Sequence, residues 1–176
     1  MNDCQDDAPE KYVIHPVSNG YCVDFGKLYH VKVIECFHTV PSVGYLFYEK
    51  RNKLKEEYKN LNGTELAALK KQNVQVVEQV LIPLFAFLGD TVPIVFEKYP
   101  QLFEFPFVIT ECTFLYGEQA DDKGHTCWNG LQPFIEAHPE CTFVLVHWSC
   151  SHKNEEIRDF FKKRALPNAI PFGVEE

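Results

Sequence analysis

The chain has 176 residues, 45% of them apolar and 14% aromatic, with a formal net charge of −8. That length and apolar content suit one domain or a piece of a larger one, and they exclude disorder as a description of the whole chain. The acidic balance excludes a general nucleic-acid-coating protein, although Lys50 to Lys71 holds seven basic residues against three acidic ones, which leaves +4 there and −12 elsewhere.

The first ten residues, with Asp3, Asp6, Asp7 and Glu10, read as a disordered acidic tail. Strands are predicted from Tyr12 to Pro16, Tyr21 to Phe25 and Tyr29 to Phe37, separated by the turn-like Ser18-Asn19-Gly20 and Gly26-Lys27. A fourth runs from Gly44 to Glu49. The β-branched and aromatic content of this meander predicts an antiparallel sheet. From Lys53 to Gln72 the period changes: Leu54, Tyr58 and Leu61, then Leu66 and Leu69, recur at helical spacing. The break falls at Asn62-Gly63, with Thr64 predicted as the N-cap of the second piece.

Beyond this segment strands and helices alternate. Strands are predicted over 81–88, 107–112 and 142–147, and helices around 94–103, within 117–139 and over 154–164. The runs Phe107-Val108-Ile109 and Phe143-Val144-Leu145-Val146 read as strands buried on both faces. The fold class is α/β, with polar residues on the loops at strand ends.

Seven cysteines is an odd number, most lie in apolar strand-like runs, and neither a secretory leader nor an apolar run long enough to cross a bilayer is visible. A reducing intracellular compartment is expected, without a membrane. No pair has Cys-x-x-Cys spacing. Cys150 and His152 form a Cys-x-His pair, a weak metal signal.

Five residues stand out as chemistry. Asp90, in Gly89-Asp90-Thr91, follows the apolar run Leu81–Leu88, so a carboxylate sits just past a buried strand, where its desolvation calls for a partner. His38 and His147 end two further strands. Strand-end histidines and a carboxylate can hold metal, although each alone also suits a structural role. Glu111 ends the run Val108-Ile109-Thr110, where a histidine is a natural partner. His125, in Gly124-His125-Thr126 before the Trp128 helix, could donate a proton to a leaving oxygen or stabilise transition-state charge.

In order along the chain, Phe37-His38-Thr39-Val40-Pro41-Ser42-Val43-Gly44-Tyr45, Phe87-Leu88-Gly89-Asp90-Thr91, Glu111-Cys112-Thr113-Phe114, Gly124-His125-Thr126 and Val146-His147-Trp148-Ser149 resemble the second half of a tRNase Z. That family comprises metallo-β-lactamase-fold endonucleases that trim precursor tRNA 3′ ends. The resemblance runs from about Tyr12 to Phe161 and includes Lys53-Leu54-Lys55-Glu56-Glu57-Tyr58, which is similar to the arm of short-form members.

The resemblance implies half of an αβ/βα sandwich over residues 11–176, a mixed sheet with helices on one face, and a basic arm at 50–74. It implies two zinc ions in the intact protein, with His38 on one, His147 on the other and Asp90 bridging. His125 would act at the scissile phosphate, with Glu111 behind it. Precursor tRNA would be held by arm residues such as Lys53, Lys55, Lys59, Lys70 and Lys71.

The chain departs from the family in two places. No His-x-His-x-Asp-His cluster is present, and Cys150-Ser151-His152 stands where the family usually carries an arginine-tyrosine pair. Since a catalytic zinc takes three protein ligands and each ion would here have two, the expectation for this chain alone is weak or absent metal and no nuclease activity. The simplest account is a C-terminal fragment that associates with its missing N-terminal half or with a second copy. The alternatives are a non-catalytic RNA- or protein-binding module of the same fold, and a metal-dependent hydrolase of that fold with another substrate.

Overall fold

The computed structural model describes residues 14–117 and 124–174. Seven strands form one sheet in sequential order: β1 (Cys22–Phe25), β2 (Tyr29–Cys36), β3 (Ser42–Leu54), β4 (Val77–Phe87), β5 (Phe107–Glu111), β6 (Thr142–Val146) and β7 (Ala169–Pro171). The first four pair antiparallel and β4 to β7 pair parallel. The switch follows from the connections. Turns and a hairpin join the first four, whereas α2 (Ile94–Lys98), α3 (Trp128–Ala137) and α4 (Asn154–Arg164) lie in the crossovers between the parallel strands. The remaining helix, α1 (Gly63–Lys71), lies between β3 and β4.

Strand alternation divides the sheet into two unlike faces. The paired row Leu46, Ala86, Val108, Phe143 and Ala169 is buried, and it belongs to one core with Phe96, Trp128, Leu131, Ile135, Ile157 and Phe160 from the three crossover helices. The next row, Tyr45, Phe87, Ile109, Val144 and Ile170, lies on the opposite face. It is equally apolar but poorly covered, with Phe87 and Ile170 43% and 44% exposed. The fold is therefore a mixed sheet with helices packed on one face.

Several expectations are corrected. Of the strand expected over Tyr12–Pro16, residues 12 and 13 lie outside the described ones and 14–16 form no strand; the acidic tail also lies outside. The helical spacing at Leu54, Tyr58 and Leu61 does not make a helix, because β3 continues to Leu54 and pairs with Val77 to Val80, leaving a 3-10 turn at Glu56–Tyr58. The cap of α1 is Asn62, not Thr64: the Asn62 side chain accepts from the Thr64 and Glu65 amides, and the Glu65 carboxylate accepts from the Asn62 amide. The helix expected over 94–103 divides at Tyr99-Pro100 into α2 and a 3-10 turn. β7 was not expected; it is only three residues long and ends in a proline.

The long β3–β4 hairpin shapes the molecule. β2 accompanies β3 only as far as Glu49, and β5 meets β4 only at Ala86 and Phe87, so the hairpin from Lys50 outward is a two-stranded ribbon capped by α1. The five residues Lys50–Leu54 carry it roughly 17 Å beyond the sheet. The same β4 strand delivers Asp90 at its other end, so the basic arm stands about 35 Å from that carboxylate.

Candidate metal centre

Five of the residues singled out in the sequence meet at the end of the sheet where β2, β4, β5 and β6 reach their loops. Glu111, at the end of β5, is their anchor and is 1% exposed. Its side chain accepts from the Thr91 amide at 2.6 Å, the Thr126 amide at 3.0 Å, the Thr113 hydroxyl at 2.5 Å and His125 Nδ1 at 3.1 Å. Four donors from three segments satisfy a group that could not otherwise be buried. Thr91, Thr113 and Thr126 were not singled out from the sequence. Each lies within two positions of a residue that was, and that is the only signal available.

Three histidines face the space beyond Glu111, each held through one ring nitrogen. His38 Nδ1 lies 2.6 Å from the Gly124 carbonyl, His125 Nδ1 points at Glu111, and His147 Nδ1 lies 3.0 Å from the Thr113 hydroxyl, which itself donates to Glu111. With Nδ1 donating in each case, Nε2 is the nitrogen that carries the lone pair, with the Thr39 hydroxyl 3.5 Å from that of His38, and this is how proteins orient imidazole towards a metal. The rings are close, with centroids 4.7 Å apart for His38 and His125 and 5.3 Å for His125 and His147. His147 Nε2 lies 3.7 Å from Asp90 Oδ1, and the Asp90 side chain is 42% exposed.

The backbone is bent to make this arrangement. His147 has φ 63°, a left-handed conformation that costs a residue with a β-carbon roughly 1–2 kcal/mol. Gly124 has φ +73°, and a β-carbon there would lie 2.7 Å from His38 Nδ1 and 2.9 Å from the Thr39 amide. At Gly89 a β-carbon would meet Ser42 Oγ at 2.7 Å and the Val43 carbonyl at 2.9 Å, so glycine lets the Asp90 loop pass against β3. The loops are cross-tied at Thr91, whose hydroxyl accepts from the Phe37 amide and whose carbonyl accepts from the Thr126 hydroxyl.

Two groups of ligand-type side chains have their donor atoms within 4.8 Å of one another: His38, Asp90 and His125, and Glu111, His125 and His147. The donor set, neutral imidazoles with one carboxylate, fits zinc and related divalent ions. Cys36 is nearby, where burial pushes its thiol up to about 11, and it belongs to neither group. A groove of about 790 Å³ opens beside the centre, lined by His38, Val40, Asn19 and Glu35 among others. Cys150 and His152 lie elsewhere: His152 Nε2 accepts from the Leu115 amide and its Nδ1 faces Glu156, so the Cys-x-His pair belongs to neither group.

The basic residues of the arm do not reach this centre. Lys50 pairs with Asp24 at 2.9 Å, Arg51 with Glu49 at 2.6 Å, and Lys59 with Glu56. Lys53 stands opposite Glu78 on the ribbon, and Lys70 and Lys71 occupy the last turn of α1, where cations suit the helix dipole. Lys53, Lys59, Lys70 and Lys71 are exposed and Lys55 is half-buried. Among the described residues, no helix is long and apolar enough to cross a membrane.

No family model matches the chain. It is 32% identical over 135 residues to tRNase Z TRZ1 of Arabidopsis thaliana, covering 73% of this chain and 48% of that protein. It is 31% identical over 135 residues to the chloroplastic tRNase Z TRZ2 of the same plant, covering 73% of this chain and 38% of that protein. The chain thus spans about half the length, or less, of these relatives. Among solved structures it shares its fold with an isothiocyanate hydrolase from Delia radicum gut bacteria, at a TM-score of 0.53 and 14% identity over 88% of this chain and 55% of that one.

Proposed function

We propose, from the premise that this chain is a relative of the tRNase Z enzymes, that it is the C-terminal portion of a zinc-dependent endoribonuclease acting on precursor tRNA 3′ ends. The observation that carries the reading is the convergence of His38, Asp90, His125 and His147 over a fully satisfied Glu111. Precursor tRNA is the substrate drawn from those relatives, and the intact site needs a further segment carrying the His-x-His-x-Asp-His cluster. The surrounding compartment is a reducing one inside the cell.

In that assembly His38 and Asp90 would hold one zinc, and His147 and Asp90 the other. When bound, the ions supply Lewis acidity and activate water at neutral pH. The chain's own residues do the rest. Glu111 holds His125 through Nδ1, which leaves Nε2 to give a proton to the leaving oxygen or steady the phosphate in the transition state. Thr113 keeps His147 in the tautomer that frees Nε2. Asp90, on a loop threaded past Ser42 and Val43 at Gly89, has Oδ1 3.7 Å from His147 Nε2. The chain joined to a segment carrying the cluster is expected to cut a precursor tRNA after zinc is added, while the chain alone is not. Failure of the joined protein on every structured RNA tried would remove the assignment.

The arm has the exposure and distance to hold the distal part of a tRNA while its 3′ end lies at the centre. Neutralising Lys53, Lys55 and Lys59 to Gln should weaken tRNA binding in filter-binding titrations. It should also flatten the logarithmic dependence of binding on salt, by about one for each phosphate no longer neutralised. An unchanged slope would take the arm out of substrate binding. A non-catalytic binding module would keep this salt dependence and lack cleavage in the joined protein. A hydrolase of another substrate would show neither.

A further inference from the structure

Cys150-Ser151-His152, in the place of an arginine-tyrosine pair, leaves the rim of the centre beside His147 without a guanidinium, and residues 148–152 hold no lysine either. What this rim presents to a substrate strand is an aromatic ring. We propose that Tyr116 is a stacking platform for an unpaired base of the RNA substrate, next to the phosphate that lies at the centre. This rests on the ribonuclease reading of the same site and adds a binding residue to it.

The short segment 113–117 that carries Tyr116 is tied to both loops that bring chemistry to the centre. On one side the Phe114 amide donates to the Thr126 carbonyl at 3.3 Å, and the Cys127 thiol donates to the Gly117 carbonyl at 3.0 Å, which joins the segment to the stretch after His125. On the other the Ser149 amide donates to the Thr113 carbonyl at 2.9 Å, and the Leu115 amide donates to His152 Nε2 at 3.3 Å, which joins it to the stretch after His147. Because its Nε2 accepts from that amide and its Nδ1 faces Glu156, His152 props the segment and has no nitrogen to spare for a phosphate. Leu115, beside Tyr116 in the chain, is buried in the core.

The ring is held on a fixed base and is still open. It meets His152 at 70° with centroids 6.0 Å apart, and Phe160 at 79° and 5.4 Å, while the Arg164 guanidinium covers Phe160 at 3.3 Å. Neither neighbour lies parallel to Tyr116, and 56% of the residue is exposed, so the parallel arrangement is left to a flat partner. Among the described residues no hydrogen bond reaches its hydroxyl. A ring already positioned loses little freedom when a base stacks on it, and stacking serves any base because each has a π-face. Thr113, whose hydroxyl lies 3.0 Å from His147, is three residues away, which limits the separation of the two backbones to about 10 Å. A strand with its phosphate at the centre therefore has neighbouring bases within reach of the ring.

The test uses the full chain and a precursor tRNA whose unpaired 3′ nucleotides carry 5-iodouridine at one position at a time. Ultraviolet light joins that base to an aromatic ring stacked on it, and peptide mass mapping locates the joint. The adduct is expected on Tyr116, from positions that flank the cleavage site. In filter-binding titrations Tyr116→Ala should weaken the RNA about tenfold, and Tyr116→Phe by less than about twofold. With an abasic nucleotide at the cross-linking position, parent and Tyr116→Ala should bind alike, since only stacking needs the base. The cross-link needs no variant, so misfolding of Tyr116→Ala leaves the question answerable. Adducts on the arm with none on Tyr116, or no binding of the RNA, overturn the proposal. So does an equal loss with the abasic RNA in a Tyr116→Ala chain whose circular dichroism matches the parent. None of these results decides the tRNase Z reading, which rests on cleavage by the joined protein.

Discussion

Glu111→Ala should destabilise the chain by about 3–5 kcal/mol, the largest loss expected from any single polar substitution. The carboxylate does not act as a lone charge. It is the common acceptor for two backbone amides, one hydroxyl and one imidazole, from segments at 91, 113, 125 and 126. Alanine would leave two of those amides, which belong to fully buried threonines, facing an empty space. Glu111→Gln separates shape from acceptor capacity. Both carboxylate oxygens accept, from Thr91 and His125 on one side and from Thr113, Thr126 and His125 on the other, so whichever way the amide points its NH2 opposes a donor. The loss expected for Gln is about 1–3 kcal/mol. Urea denaturation measures both, with an unchanged m-value as the sign that only stability moved. A Glu111→Ala chain as stable as the parent would mean that the donors find other acceptors and that the anchor role is wrong.

The readable part of this centre was the part that lies at strand ends. A carboxylate just past a buried apolar run, as at Asp90 or at Glu111, needs a partner wherever the strand goes, and strand-end histidines supply one. Apart from the Glu111–His125 pairing that the family resemblance implies, the partners themselves were not readable. The Glu111 network joins residues 91, 111, 113, 125 and 126, and periodicity relates a residue only to near neighbours in the chain. Nothing in Thr126 as a residue type says that its amide points at Glu111. The same limit explains the arm. Leu54, Tyr58 and Leu61 do fall at helical spacing, but Lys53 and Leu54 meet Glu78 and Val77 across a loop of more than twenty residues, and those cross-strand bonds override the local pattern. His147 in the left-handed region could not be foreseen either, since that conformation is imposed by the site and opposed by the residue's own preference.

Left alone, the chain should associate through the open face of its sheet, and Phe87→Lys with Ile170→Lys should abolish the association. The row Tyr45, Phe87, Ile109, Val144 and Ile170 crosses five strands with no charged residue in it, and the adjoining Phe107 is 49% exposed. The helices cover only the opposite face, so this row buries its area only against another molecule or a further segment. For the chain alone, a second copy offers a matching apolar row in a self-complementary contact. Each large side chain buried there contributes roughly 1.5–3 kcal/mol, so two lysines raise the dissociation constant at least about 100-fold. Sedimentation velocity at tens of micromolar reads this as a dimer becoming a monomer, with circular dichroism showing the sheet intact. The substituted positions lie on the uncovered face, and Leu46, Ala86 and Phe143 of the core are untouched, so the monomer should remain folded. A segment supplying the His-x-His-x-Asp-His cluster would cover the same row, and its addition should dissociate the dimer as it completes the site. A parent chain that sediments as a clean monomer at these concentrations would show that the open face is tolerated in water, and the case for a covering partner would lose its physical basis.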